Sequence, residues 1–500
     1  MNKNSKTYRL FEMIPGIIAW TTITFPIWGS LLIPRVVAYF VIAFLLFWLY
    51  QSFKSAILAI IGYFKIKSSQ STNWLDFFRL NFRSSWLKYN DIRHVVFISS
   101  YKEPVEIIDQ MAVTSLKEQV DIDLKKIIVV IGQEARAGEE NNQKTIDYIT
   151  KKYDKTFGLL LFTEHPGNIP GETAGKHSNE AWAAKYFKKH FIDTGKYKLD
   201  QLTLTSCDVD TVFNPKYFSA LTYHFASSPD RYFRFWQSPI FWHHNINSVP
   251  APIRIIGTMG NVIHIANIQE PDGLFFNYSC YSSSYRLINQ VGYWDTDMIP
   301  EDWHIFLQAF FSSQGQASVE PIFLPTLVDA PDGINYFSAL KNRYNQCLRH
   351  AWGAIDIPYA ISQAVNHPEI PLIRRVLRIG KLLETHFIWS SNWFILTLGT
   401  SLPLIMNPNF FQTAIGFNLP KISNVILTIC LLPLFILIVL DWQLRPPTQK
   451  RGLKVFLRNF LQWPLMPLAT LTMSVLPGLH SHTKLMLGKR IEYKTTAKNI

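Results

Sequence analysis

The sequence predicts an α/β domain, built on an open and mostly parallel sheet, flanked on both sides by membrane helices. Three observations predict it. Short β-rich runs alternate with helical patterns through the middle of the chain, as expected of a sheet covered on both faces. Apolar residues, 48% of the 500, crowd positions 1–65 and 386–500. Lys and Arg flank those apolar runs, as in Lys65 and Lys67, or Arg374, Arg375, Arg378 and Lys381, which suits an anionic cytoplasmic membrane face. The net charge of +13 is therefore read as membrane-directed. No helix-turn-helix, zinc-finger or aromatic RNA-binding signature accompanies it, so nucleic acid is excluded as a partner.

In chain order, residues 1–66 form a membrane region. "IIAWTTITFPIWGSLLI" (Ile17–Ile33) and "VVAYFVIAFLLFWLY" (Val36–Tyr50) make a hairpin of two spans, the second reaching about 20 apolar residues through "AILAIIGYF". A cleaved signal peptide is disfavoured, since no small-residue cleavage site follows and the apolar stretch is too long. Lys3, Lys6 and Arg9 place the N-terminus inside. Residues 67–385 form a cytoplasmic domain with interfacial helices at its C-terminal end. Within it "HVVFIS", "KIIVVIG", "GLLLFT" and "LTLTSCDVD" read as strands, each followed by a helical pattern. Residues 386–480 return to the membrane with spans at Phe387–Met406 and Ile422–Leu440 and a Pro-broken stretch, Phe460–Leu479. That stretch reads as spanning or re-entrant, the charge of the tail favouring a re-entrant or interfacial segment. Residues 481–500 are a basic tail. The four cysteines, Cys207, Cys280, Cys347 and Cys430, show neither close pairing nor zinc spacing and point to a reducing compartment.

Ligands of such sheets bind beyond the carboxyl ends of the strands, where "CDVD" puts Asp208 and Asp210. Two hard oxygen ligands on one side of an extended chain suit Mg²⁺ or Mn²⁺ on a diphosphate. The pair alone also reads as a strand end with a capping acid. No G-x-G-x-x-G follows a strand, and "PGETAGKHS" fails as a phosphate-binding loop because His177 stands where Ser or Thr is required. Pro300-Glu301-Asp302 reads as a helix start, its acids either dipole partners or, at Asp302, a general base. In "NRYNQCLRHAWG", Gln346, Arg349 and Trp352 recur every three residues on one helix face. Planar donors with an indole suit a sugar or diphosphate, and equally an interfacial helix.

Taken in order, these motifs resemble those of the membrane-bound family 2 glycosyltransferases, in the branch of the cellulose, chitin and hyaluronan synthases. The resemblance is strong over 85–360 and looser over the flanking spans. It implies a GT-A fold and an inverting hexosyl transfer. The implied reactants are a nucleotide-sugar donor and a growing polysaccharide or lipid-linked acceptor. It further implies a Mg²⁺ or Mn²⁺ cofactor and membrane lipids as partners, in the plasma (inner) membrane with the catalytic domain cytoplasmic. "SSYKEP" is similar to the opening Y-N-E-P, putting Tyr101 and Glu103 near the nucleotide, and "GKHSN" puts Lys176 and Asn179 near the donor. Asp208 would contact donor or metal, Asp210 the metal, and Asp302 would be the base with Glu301 beside it. Gln237, in "FWQSPIFWHHN", would lie on the acceptor path. Gln346, Arg349, His350 and Trp352 would face acceptor and diphosphate. "RIEYKTTAK", with Tyr493 and Lys498, resembles the loop that gates the nucleotide.

The chain departs from that pattern in three places. An acid pair for base and ribose becomes Gly132-Gln133-Glu134, leaving Glu134 alone to serve. His350 takes the usual Trp position, with Trp352 displaced. "NYSCYSSSYR" is bulkier than the small residues favoured there. A changed acceptor follows. Two alternatives stay open: single-sugar transfer to a membrane lipid, and a catalytically inactive membrane scaffold or transport component.

Overall fold

The structure, a computed structural model, describes residues 6–270, 275–449 and 452–491. Two long helices come first, α1 (Lys6–Leu32) and α2 (Pro34–Ser71). They meet at Ile33, where Pro34 supplies a φ already suited to a first helical turn. The α/β domain follows, with strands β1 (Arg93–Ser99), β2 (Ile127–Glu134), β3 (Leu159–His165), β4 (Leu202–Asp208), β5 (Arg234–Gln237), β6 (Ile240–Phe241), β7 (Tyr281–Ser284), β8 (Ser318–Pro321) and β9 (Thr326–Leu327). Its main helices are α3 (Glu139–Tyr153), α4 (Lys176–Phe187), α5 (Tyr217–Ser227), α6 (Ala251–Asn267), α7 (Glu301–Ser312) and α8 (Tyr336–Ala351). The C-terminal part carries α9 (Leu372–Leu398), α10 (Ala414–Ile429), α11 (Leu431–Leu444) and α12 (Leu476–Met486).

Seven strands form one sheet in the order β3-β2-β1-β4-β7-β5-β8, and β6 pairs with β9 apart from it. Only β7 runs against its neighbours. Every residue of β2 is buried, and its Ile127–Ile131 part is the continuous apolar run of a strand covered on both faces. Alternate side chains enter opposite cores: Val96, Ile98, Val129 and Ile131 pack with Phe218 and Trp236, while Val95, Phe97, Ile128 and Val130 pack with Phe187, Tyr285 and Phe306. The chain runs outward from β1 through β2 to β3, then crosses back to place β4 on the other side of β1. That switch point opens a crevice at the carboxyl ends. Ser99 pairs there with both Gly132 and Asp208, so β1 and β4 end level while β2 runs two residues further to Glu134.

Among the described residues, three helical stretches are long and apolar enough to cross a membrane: Lys6–Leu32, Pro34–Ser71 and Ala414–Leu444, the last running through α10 and α11. The first begins well before Ile17, and the second is one helix far beyond Tyr50. Phe387–Met406 is divided rather than continuous. Its helix ends at Leu398, a short helix restarts at Leu402, and Ser390, Ser391 and Asn392 dilute its apolar character. The Pro-broken stretch is a chain of short helical pieces ending in α12. Long helices and sheet domain pack directly on one another: Ala56 and Ala59 of α2 and Leu437 of α11 meet Val262 of α6. At Gly62 the approach is so close that a Cβ would lie 2.2 Å from Ile265 Cγ2.

Candidate active site

A cavity of about 820 Å³ lies over the switch point. Of the residues expected from sequence, Tyr101, Glu103, Glu134, Lys176, Asn179, Asp208, Asp210, Glu301, Asp302, Gln346, Arg349 and His350 all line it. Gln237 does not. It is fully buried, donating to the carbonyls of Ser238 and Cys280 and accepting from Tyr278 N, so it braces strands. Trp352 also turns away. The α-helix ends at Ala351 and a tighter turn begins at Trp352, burying the indole with Met298, Ile355, Leu485 and Ile491. The three-residue spacing therefore stops short, and His350 takes the cavity wall instead. Tyr493 and Lys498 lie outside the described residues.

The acid pair does not share a strand. β4 ends at Asp208, and a turn closed by Thr211 N on Asp208 O carries Asp210. Alternation along a strand therefore does not account for their convergence; the turn does, with Asp208 partly exposed and Asp210 buried. Lys176, the first residue of α4, reaches Asp208 Oδ1 at 3.1 Å, Glu301 Oε1 at 3.8 Å and Glu180 Oε1 at 3.9 Å. Burial alone would lower the Lys176 pKa, but the charges of Asp208, Glu180 and Glu301 outweigh it and hold the ammonium charged.

Ser279 joins these groups. Its N–H donates to Asp302 Oδ2 at 3.0 Å, its hydroxyl to Asp208 Oδ2 at 3.3 Å, and its carbonyl accepts from Lys176 Nζ at 2.8 Å. It does so with φ +55°, an uncommon conformation outside glycine. Asp302 Oδ1 accepts from Trp303 N at 2.8 Å. Burial, reinforced by the charge of Glu301, pushes Asp302 up to about 7 against those hydrogen bonds. Glu180, beneath Lys176 and accepting from Ser206 Oγ at 2.7 Å, is pushed by burial to about 8.

At the tip of β2, Glu134 Oε1 accepts from Asn179, and Oε2 from Arg136 and His165. Burial pushes Glu134 up, but the bonds from His165, Arg136 and Asn179 outweigh it and hold the carboxyl below its ordinary range. Gln133 turns inward and donates to Asn142 O. Opposite, Trp242, Asp329, Asp332 and Arg343 complete the wall, and Trp303, Lys381 and Trp389 reach it from α7 and α9. Sequence reading singled out none of Ser279, Glu180, Arg136 or Asp329 for a role. Ser279 lies in "NYSCYSSSYR", a stretch noted only for its bulk.

Among the described residues no three His, Cys, Asp or Glu side chains converge as a metal set. Asp208 and Asp210 fit a divalent cation only as a two-carboxylate site, with ligand oxygens and water supplying the rest. Mg²⁺ and Mn²⁺ are bound in that way when a substrate brings phosphate oxygens. The whole is a charged cleft at the carboxyl edge of an α/β sheet to which long apolar helices are attached.

No protein-family profile and no curated protein sequence matches the chain. Among solved structures, the mannosyltransferase PcManGT from Pyrobaculum calidifontis in complex with GDP-Man and Mn²⁺ is 12% identical, covers 87% of this chain and 100% of its own, and gives a TM-score of 0.42. GalNAc-T7 with UDP, GalNAc and Mn²⁺ is 10% identical over 60% of this chain and 59% of its own, with a TM-score of 0.34. Likenesses this distant assign the chain no chemistry.

Proposed function

We propose that the chain is an inverting, divalent-metal-dependent glycosyltransferase with a GT-A domain at the cytoplasmic face of a membrane. It would move a hexosyl group from a nucleoside-diphosphate donor to a polysaccharide or lipid-linked acceptor. One observation carries the reading: Ser279 bonds at once to Asp302, Asp208 and Lys176. A candidate base, a candidate metal acid and a phosphate-seeking cation are thereby held on one cavity wall.

In this mechanism Asp302 takes the proton of an acceptor hydroxyl whose oxygen attacks the anomeric carbon. The bond from that carbon to the diphosphate oxygen breaks on the opposite side, inverting the centre. With its pKa near 7, Asp302 is matched to proton transfer at neutral pH. Lys176 and Arg349 meet negative charge on the leaving diphosphate. A divalent cation held by Asp208 and Asp210 would supply further positive charge to the leaving diphosphate. Turnover should therefore rise with pH up to about 7, as Asp302 ionises.

The test is a thermal-shift series on the detergent-solubilised chain with nucleoside diphosphates, with and without Mn²⁺. Stabilisation by at least one of them, losing its Mn²⁺-dependent part in Asp210→Ala, is expected. Asp302→Asn should keep nucleotide binding while transfer falls by about 10²–10⁴-fold. Full turnover by that variant removes the base assignment, and an inactive scaffold predicts no nucleotide stabilisation at all. His350 on the wall, with Trp352 buried elsewhere, favours single transfer to a lipid as the second reading. Product length from a labelled donor separates it from chain extension.

A further inference from the structure

We infer that Arg136 reads the nucleobase of the donor, and that it selects a base whose edge carries two adjacent hydrogen-bond acceptors, as guanine's O6 and N7 do. The inference rests on the glycosyltransferase reading and names the base class of that same site.

The acid at the tip of β2, Glu134, is already bonded within the protein at both oxygens, Oε1 by Asn179 Nδ2 at 3.2 Å and Oε2 by Arg136 and His165. What this end of the cavity offers instead is the guanidinium. Arg136 follows β2 directly, in the turn Ala135–Ala137, and lines the cavity beside Tyr101. It spends two of its five N–H donors on Glu134 Oε2, from Nε at 3.2 Å and Nη2 at 2.9 Å. The Nη1–Nη2 edge is left for a ligand. That edge presents two parallel donors, the geometry that meets a paired acceptor and repels an amino group. Adenine, with its amino group beside N7, mismatches; uracil offers single carbonyls. Cytosine, with N3 beside O2, is the one other base that meets the criterion, and there the matching pair adjoins an amino group that the guanidinium repels.

The guanidinium is held in position from two further sides. Its Cζ lies 5.0 Å from the centre of the Tyr101 ring, a cation–π contact. Its stem passes over Gly167, where a Cβ would lie 2.3 Å from Arg136 Cγ and 3.0 Å from Cδ. Gly167 has no positive φ, so alanine there suits the backbone and acts only by pushing Arg136 aside.

The experiment measures affinities of guanosine, uridine, adenosine and cytidine diphosphates for the full solubilised chain with Mn²⁺. The wild type should bind the guanosine nucleotide on the order of tenfold more tightly than the adenosine one. Arg136→Ala, Arg136→Lys and Gly167→Ala should each collapse that preference while diphosphate affinity persists. Lys keeps the charge and loses the fork, and ligand-free melting curves verify folding of all three. Equal loss for every base in the Arg136 variants would make Arg136 a phosphate or ribose contact and overturn the inference alone. No preference in the wild type overturns it too. Failure of the wild type to bind any nucleoside diphosphate would overturn the glycosyltransferase reading and this inference with it.

Discussion

At the residue scale the site turns on Ser279, whose contribution is mainly backbone. Its N–H and carbonyl serve Asp302 and Lys176 at 3.0 and 2.8 Å, whatever the side chain, while the hydroxyl adds a longer bond to Asp208. Ser279→Gly should therefore keep most activity, losing about 0.5–1.5 kcal/mol for one hydrogen bond. Ser279→Val should be far worse, because a β-branched residue at φ +55° is strained by roughly 1–2 kcal/mol and drags Asp302 with it. Turnover and melting temperature of the two variants check this, and equal activity would contradict it. Asp302 and Asp208 were legible in the sequence from residue type and spacing. Ser279 was not, because a positive φ at a non-glycine residue leaves no mark in a string of Ser and Tyr.

At the element scale the placement of α7 decides where Asp302 points. The start of that helix, at Pro300-Glu301, was readable from Pro and acids in the first turn. Its anchoring was not. His304, fully buried, bonds through Nδ1 to Asp356 at 2.6 Å and through Nε2 to Asp295 at 3.0 Å. Burial would lower its pKa, but Asp356 and Asp295 outweigh that and raise it to about 9. A histidine raised in the folded state stabilises fully below its unfolded value of about 6.5. That contribution is lost as pH rises through about 9. His304→Leu leaves Asp356 buried without a counter-charge and should cost about 3–5 kcal/mol, with the double variant His304→Leu, Asp356→Leu recovering much of it. Melting curves decide the matter. A single variant as stable as the wild type would show the pair to be idle.

At the scale of the whole molecule, the long helices and the sheet domain are one packed body joined by buried polar groups. Asp441 of α11 accepts from His243, from Asn261 of α6 and from Arg445, at 2.8–2.9 Å. Asn261 also lines the cavity. Asp441→Ala strands Arg445 and should cost about 3–5 kcal/mol, seen as a lower melting temperature in detergent. Turnover should fall with it, since Asn261 loses a partner. Both wild type and variant should stay with membranes through an alkaline carbonate wash, because apolar helices of this length hold without the polar network. Release of the wild type would sink the spanning topology.

The family resemblance supplied Tyr101, Glu103, Glu134, Lys176, Asn179 and His350 on the cavity wall. Composition and period were enough to mark the strand–helix alternation, the two N-terminal helices and the acids Asp208, Asp210 and Asp302. Those features depend on local spacing: two-residue and 3.6-residue patterns, and motifs a few residues long. Gln237 was assigned to the acceptor path and became a strand brace. Trp352 was placed on a binding face and became core. The reason is common to both. A planar polar or aromatic side chain suits a ligand and an interior equally well, and its neighbours in space choose between them. Helix termination at Ala351 and the turn that carries Asp210 depend on backbone torsions. The capture of Glu134 depends on Asn179 and His165 from distant parts of the chain as well as on Arg136 across a tight turn. Packing sets these, and neither hydropathy nor spacing encodes them.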